Sequence, residues 1–297
     1  MNHWQSAACS GMSESVENMT DYELRRVQKL QLGILKEVKR VCEKNNIRYF
    51  LDAGTLLGAI RHDGFIPWDD DLDIAMERSE YERFIRVAQK ELGEAYFLQT
   101  QDTDVHYGLP FAKVRLCGTQ FLENKSKKSK ARDEIFIDIF PYDTMPEGRF
   151  QQKKVAFQLK VLSHLNLIKH GYEVWSGEGT ANMIKFLPFR LLALIFSKSY
   201  IKNKIKQMII TENKQKSHRV WIQDGQNYMR WNYPADLLQH FTEHVFEDES
   251  FPVPAEYDTW LKITYGDYMQ LPPEDQRGDY HQIITINFGK YADKDRV

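Results

Sequence analysis

The stretch Trp68-Asp69-Asp70-Asp71-Leu72-Asp73-Ile74 constrains this chain more than any other. Four carboxylates within five positions repel one another. A folded protein accommodates them when a cation sits among them or when water surrounds them. This block runs straight into the apolar segment Leu72–Met76, which reads as a strand, so a solvated tail is a poor description. In a strand, residues two apart share a face. Asp71 and Asp73 therefore project together, while Leu72 and Ile74 enter the core. Two hard oxygen ligands at this spacing suit Mg²⁺ or Mn²⁺, which bind through one or two carboxylates plus substrate phosphates. The competing reading is a surface loop of turn-forming Asp residues, which rarely come four together beside a buried strand.

Glu134–Tyr142 (EIFIDIFPY) adds a second signal. Ile135, Ile137 and Ile139 share one strand face, and Phe136, Asp138 and Phe140 share the other. A carboxylate between two Phe residues is costly unless it is paired or metal-bound. Beside Asp71 and Asp73, Asp138 reads as a third metal ligand; pairing with a neighbouring Arg or a helix N-terminus is the alternative. A third signal is Asp52-Ala53-Gly54-Thr55, where a strand ends and a helical turn begins. Such Gly turns bind phosphate through backbone N–H groups.

The remaining pattern predicts an α+β fold, a mixed sheet platform with helices and an additional helical lobe. Thr20 and Glu23 form a capping box for a helix over Thr20–Lys44. Ile47–Asp52, Leu72–Met76, Tyr96–Thr100, Leu109–Leu116 and Glu134–Phe140 read as strands. A turn at Leu56–Arg61 follows Gly54-Thr55. Ser79 with Glu82 is expected to cap a helix running to Leu92, with Gly93 as its stop. Long helices are predicted at Phe150–Lys169 and Ala181–Thr211, and a short one at Ala255–Thr264 before Gly266. This divides the chain into a lead-in at 1–19, a catalytic core at 20–146, and a helical, aromatic part at 147–297 that completes the substrate site.

Hydrophobic residues at 42%, charged residues at 28% and a net charge of −2 describe an ordinary globular chain with no global field toward nucleic acid. Cys9, Cys42 and Cys117 are too far apart for a zinc site or disulfide framework, which fits a reducing cytoplasm. The first residues lack the basic and apolar regions of a signal peptide. The run Phe186–Phe196 is too short to span a bilayer. It reads as a buried helix, with an in-plane membrane contact as the alternative. The basic loop Lys125–Arg132 carries five cations and reads as a solvated loop or a contact for an anionic glycan or membrane.

The segments Tyr49–Phe84, Phe136–Asp143 and Tyr265–Arg277 resemble the LicD family of phosphocholine transferases, relatives of fukutin within the nucleotidyltransferase superfamily. That superfamily's pattern is a Gly-Ser/Thr turn, a D-x-D strand and a later Asp. Here these are Gly54-Thr55, Asp71/Asp73 and Asp138, with Ala53 standing where many members carry Gly. The resemblance implies transfer of phosphocholine from CDP-choline, or of another alcohol phosphate from a related CDP-alcohol, to a sugar hydroxyl. It implies a teichoic acid or lipopolysaccharide acceptor, lipid-linked at the inner face of the membrane. Asp71, Asp73 and Asp138 then serve as catalytic and metal-holding residues. Gly54, Thr55, Arg61, His62, Lys113, Arg277 and His281 are the candidates for holding the donor. For Arg61 and His62, a helix C-terminal cap is the equal alternative. For Lys113 and Arg115, a solvated strand face is the leading reading and a phosphate contact the alternative. Aromatic faces bind quaternary ammonium groups. Candidates are Trp221, Tyr228, Trp231 and Tyr233, or Tyr257, Trp260 and Tyr265, with core packing the competing reading for each. Nucleotidyl transfer, or a silent nucleotide- or glycan-binding role, are the rival functions.

Overall fold

The computed structural model describes residues 19–173, 180–225, 227–278 and 281–292, with side chains undescribed at 180–186. The expected lead-in, with Cys9, lies outside these residues except for Met19. Helix α1 (Asp21–Lys44) opens on the Thr20/Glu23 capping box and buries Val27, Ile34, Leu35, Val38 and Val41. Two polar residues, Gln28 and Gln31, share its buried side. Strand β1 (Phe50–Leu51), α2 (Ala53–His62), β2 (Asp73–Glu77) and α3 (Arg78–Glu91) follow.

The start of α3 differs from expectation. Its N-cap is Glu77, not Ser79, and its last turn ends against Leu92 in extended geometry rather than at Gly93. The cause is Arg78, whose guanidinium donates two 2.7 Å hydrogen bonds to the buried Asp143 and ties the first helical residue to the sheet. Gly93 donates its N–H to Glu37 at 2.8 Å.

The sheet is completed by β3 (Tyr96–Gln99), β4 (Ala112–Leu116), β5 (Gln120–Glu123) and β6 (Phe136–Thr144). Strand β4 starts three residues later than predicted, beyond Pro110, which cannot donate to a ladder. Strand β6 runs past Pro141, where the sequence suggested an end. Its residues 136–139 pair with β4 and residues 142–144 with β7 along the same edge. Pro141 falls at the changeover, where no ladder hydrogen bond is required of it.

Helices α4 (Arg149–Lys169), α5 (Thr180–Ile195) and α6 (Lys198–Asn213) form the helical layer. The single helix expected over Ala181–Thr211 is two, because Ser197 accepts a 3.1 Å bond from the Tyr200 N–H and caps a new helix. Strands β7 (Arg219–Ile222) and β8 (Asn232–Pro234), the hairpin β9 (Phe241–Phe246) and β10 (Glu249–Pro254), α7 (Tyr257–Tyr265) and β11 (Ile283–Asn287) complete the chain.

The main sheet runs β1-β2-β6-β4-β3, with β7 on β6 and β8 on β7. Only β2 and β6 are parallel within it. The architecture is α+β. Its main core extends from Val27 and Val38 of α1 through the sheet to Phe246, Phe251 and Trp260. A second cluster joins α4, α5 and α6 to Trp221 and Tyr228. No helix among the described residues is long and apolar enough to cross a membrane.

Candidate active site

The site grows from the one parallel pairing. In the β2–β6 register Asp73 lies opposite Asp138, and in the β4–β6 register Asp138 lies opposite Lys113. Three charged residues thus form a row across three strands, all buried. Lys113 Nζ meets Asp138 Oδ1 at 2.6 Å and sits 3.2 Å from the centre of the Phe136 ring. The expected solvated face for Lys113 and Arg115 is therefore corrected. Both are buried, because β4 is covered on both faces, and Arg115 donates to Gln99 Oε1 at 2.5 Å. Burial lowers the Lys113 pKa against the attraction of Asp138.

Asp69, Asp70 and Asp71 enter from the loop before β2. Each offers an oxygen within 4.8 Å of the others. The acidic block itself thus forms a trio at ligand spacing, with Asp73 and Asp138 on the strands behind it. Burial first, and then the charge of Asp71, hold the Asp69 and Asp73 carboxyls well above the usual range. Asp71 is raised too, by burial, with Asp70 and Asp138 adding to it. Asp73 Oδ1 is buried without a hydrogen-bond partner among the described residues. Crowded carboxylates with raised proton affinity and an unpartnered inward oxygen are what a hard divalent cation would relieve. Of the three expected ligands, the structure groups only Asp71 with other acids at ligand spacing, beside Asp69 and Asp70; Asp73 and Asp138 stand on the strands behind, and Asp138 is paired with Lys113.

The Gly54-Thr55 turn serves this block directly. Thr55 Oγ1 accepts the Asp73 N–H at 2.8 Å, and the Asp52 N–H bonds Asp73 O at 3.1 Å. A Cβ at Gly54 would stand 2.6 Å from Asp69 Oδ2. Glycine here lets the first turn of α2 approach the Asp69 carboxylate, and the positive end of the helix faces negative charge. Asp52 lies behind, fully buried. Its two oxygens accept from the Tyr142 hydroxyl at 2.7 Å and Trp260 Nε1 at 3.1 Å.

The late segment reaches the site through an unpredicted pairing. Strand β11 joins β5 in a two-stranded sheet and brings His281 beside the acids. His281 Nδ1 donates to Asp70 Oδ1 at 2.7 Å, and Nε2 lies 3.5 Å from Asp71 Oδ2. Burial and Lys125 push its pKa down, but Asp71 and Asp70 outweigh them and lift it to about 9. The imidazolium form therefore prevails at neutral pH.

Arg61, His62 and Arg277 gather around Trp68. Arg61 donates to Tyr268 O at 2.7 Å and to His62 Nε2 at 3.0 Å. His62 meets the Trp68 ring edge-on, and the Arg277 guanidinium lies 4.8 Å over the same ring. Burial lowers the Arg61 pKa, while Tyr265 and Asp69 oppose the shift. Arg61 is thus near the acids but anchored to a loop carbonyl.

The basic loop is solvated over most of its length, with Lys127, Lys128, Lys130 and Arg132 exposed. Its cations are mostly engaged: Lys128 with Glu173 at 2.7 Å, Arg132 with Glu134, and Lys125 with Glu123 at 2.8 Å. Lys125 is half-exposed and pairs with the buried Glu123 on the side of the acids. Burial disfavours its charge, but Glu123 overcomes this, and Asp138 and Asp71 add to the stabilisation. Sequence reasoning missed Lys125 as a site residue. It also missed Gln28 and Gln31, whose side-chain N–H groups donate at 2.9 Å to the carbonyls of Asp69 and Asp70. Two polar residues at core spacing on an amphipathic helix were the available signal.

Most of the aromatic-cage candidates lie elsewhere. Trp221, Tyr228, Tyr233 and Trp260 are fully buried, and Tyr233 stacks on Trp260 at 3.8 Å. Trp231 and Tyr257 are partly buried against the main core. Tyr265 lies within reach of the acids' charge. Burial, and then the charge of Asp69, raise its phenol well above the ordinary value.

Residues 46–175 match the family described as LicD/FKTN/FKRP, nucleotidyltransferase domain. The chain is 34% identical over 269 residues to the lipopolysaccharide cholinephosphotransferase LicD of Haemophilus influenzae, covering 89% of this chain and 97% of that protein. It is 38% identical over 76 residues to the ribitol 5-phosphate transferase FKRP of Mus musculus, covering 24% of this chain and 15% of that one. An uncharacterized protein of Rickettsia typhi is 44% identical over 145 residues, or 46% of this chain and 40% of that protein. The match over nearly the whole Haemophilus protein, together with the acidic site inside the matched domain, establishes that this chain belongs to the LicD family of transferases.

Proposed function

We propose that this transferase moves phosphocholine from CDP-choline to a sugar hydroxyl of a cell-surface glycan precursor, lipopolysaccharide or teichoic acid, using Mg²⁺ or Mn²⁺. The observation that carries the reading is the in-register pair Asp73 and Asp138, with Asp73 Oδ1 unpartnered among the described residues and the Asp69–Asp71 block in front. The cholinephosphotransferase name of the Haemophilus relative supports the donor class.

Asp71, Asp73 and Asp138 would hold the metal, which when bound neutralises the donor diphosphate and the charge growing on departing CMP. The protein's own work is positioning and electrostatics. Lys113 restrains Asp138, and His281 restrains Asp70 and Asp71. Lys125 offers a cation to the donor phosphates from the side of β5, and the Trp68 cluster offers Arg61 and Arg277. The acceptor proton passes to a carboxylate of this cluster, whose proton affinity burial has raised. A cytoplasmic enzyme at the inner membrane face, meeting a lipid-linked acceptor, fits this chemistry.

One observation favours a second reading, transfer of ribitol or glycerol phosphate. The rings expected to cage a choline are packed in the core, which leaves Tyr265 and Trp68 as the aromatic surfaces near the acids. CMP release from CDP-choline, CDP-ethanolamine, CDP-glycerol and CDP-ribitol, with Mg²⁺ and with EDTA, tests both. Preference for CDP-choline and loss of release in EDTA are expected. Faster release from CDP-ribitol would establish the second reading, and release unaffected by EDTA would remove the metal.

A further inference from the structure

Helix α5 carries apolar residues on two sides. On one side Ala193 is buried, and Phe189 and Phe196 pack into the cluster shared with α4 and α6. On the other, Leu187, Leu191, Leu194 and Ile195 are 51, 54, 80 and 72% exposed. Their spacing of four, seven and eight residues from Leu187 makes them a single stripe along the helix. An isolated exposed Leu needs no explanation, but a continuous stripe on one helix marks an interaction face. The stripe borders an open apolar trough shared with Ile168 at the end of α4. The cations Lys169, Arg190 and Lys198 stand in the walls of that trough. Lys169 also hydrogen-bonds the Ala193 carbonyl, which fixes α5 against α4.

Charge identifies the occupant. From Arg149 to Asn213 the chain carries eleven Lys and Arg against three Glu and no Asp, while the whole protein is at −2. The helical layer is therefore a cationic region on a chain that is acidic elsewhere. Apolar side chains flanked by Lys and Arg are the composition of an in-plane helix on an anionic lipid surface. A second copy of the same face would bring like-charged walls together, so charge complementarity favours lipid over self-association. None of the acidic-site residues lies on α5, so the feature is independent of the donor chemistry.

We propose that α5 docks the protein on anionic phospholipid bilayers, with Leu187, Leu191, Leu194 and Ile195 in the interface and Arg190 and Lys198 at the headgroups. Flotation of the full chain with phosphatidylcholine vesicles, with and without phosphatidylglycerol, tests this. Flotation with the phosphatidylglycerol vesicles only, reversed by high salt, is expected. Leu191→Glu/Leu194→Glu and, separately, Arg190→Glu/Lys198→Glu should each weaken partitioning by about tenfold or more. Their melting temperature and their CMP release with a soluble acceptor should stay unchanged. No flotation, equal flotation with both vesicles, or flotation retained by both variants would overturn the proposal. So would a dimer in light scattering without vesicles that Leu191→Glu/Leu194→Glu dissociates, which would make the face an interface between copies. Because vesicle binding is read without turnover, its failure leaves the transferase reading standing, and the converse holds.

Discussion

Ala53 sits at φ +47°, in the left-handed region, immediately before the glycine that faces Asp69. This is a backbone conformation that glycine adopts without strain. A non-glycine in this region costs roughly 1–2 kcal/mol, and glycine gives back about 0.5–1 through its unfolded-state entropy. Ala53→Gly should therefore stabilise the protein by about 0.5–1 kcal/mol without loss of CMP release, as urea unfolding and a turnover assay would show. Lys113 makes the opposite case. Lys113→Met keeps the packing on Phe136 but leaves Asp138 buried without its cation. Breaking a buried pair from one side costs about 3–5 kcal/mol, so the melting temperature without metal should fall sharply. An unchanged melting curve would mean that the pair contributes nothing. The acidic block, Asp138 and the glycine turn were all legible from sequence because they combine rare residue types with strand spacing. Lys125 was not, because a lysine in a loop of five cations carries no mark of the one that pairs with Glu123 beside the acids.

At the scale of elements, the capped, strongly periodic α1 emerged at nearly the predicted bounds, and so did α4, which has no side-chain cap. The strands that escaped reading either carried prolines or joined distant partners. The hairpin β9–β10 contains Pro252 and Pro254, and β5 has four residues that acquire a partner only from β11. Local propensity cannot reveal a pairing whose partner lies more than a hundred residues away. The run Ile283-Ile284-Thr285-Ile286 did offer a β-branched signal. This pairing is what carries His281 to the acids, so it is the element to break. Thr285→Pro removes a backbone donor in β11 and should detach the strand from β5. Turnover should fall by about tenfold or more, equivalent to roughly 1.4 kcal/mol in the barrier, while the main melting transition persists. Retained turnover would show that His281 reaches the site without β11.

For the molecule as a whole, metal and stability are linked. Burial, and then the charge of Asp71, hold the Asp73 carboxyl above its ordinary pKa. Its ionisation thus costs stability above that raised pKa, and the cost fades as pH falls from there toward the ordinary carboxylate value, below which both states are protonated. Asp73→Asn should melt higher than the wild type at neutral pH in EDTA and lose that advantage in acid. Under the proposed function, Mg²⁺ at a hundred times its Kd stabilises the wild type by about 2.7 kcal/mol. That amounts to several degrees in Tm, and Asp73→Asn should lack the shift. Differential scanning calorimetry with and without Mg²⁺ reads both effects, and an equal shift in the two proteins would take Asp73 out of the metal site. The parallel β2–β6 ladder also sets the order in which the protein can be made. On the ribosome, Asp73 emerges well before Asp138, and at about 5–20 residues per second β2 waits several seconds for the strand that registers it. During that interval an acidic strand edge stands open. The nascent chain gains its catalytic row only when β6 closes a long loop, and His281 joins it only after a further long stretch beyond Asp138 has been translated.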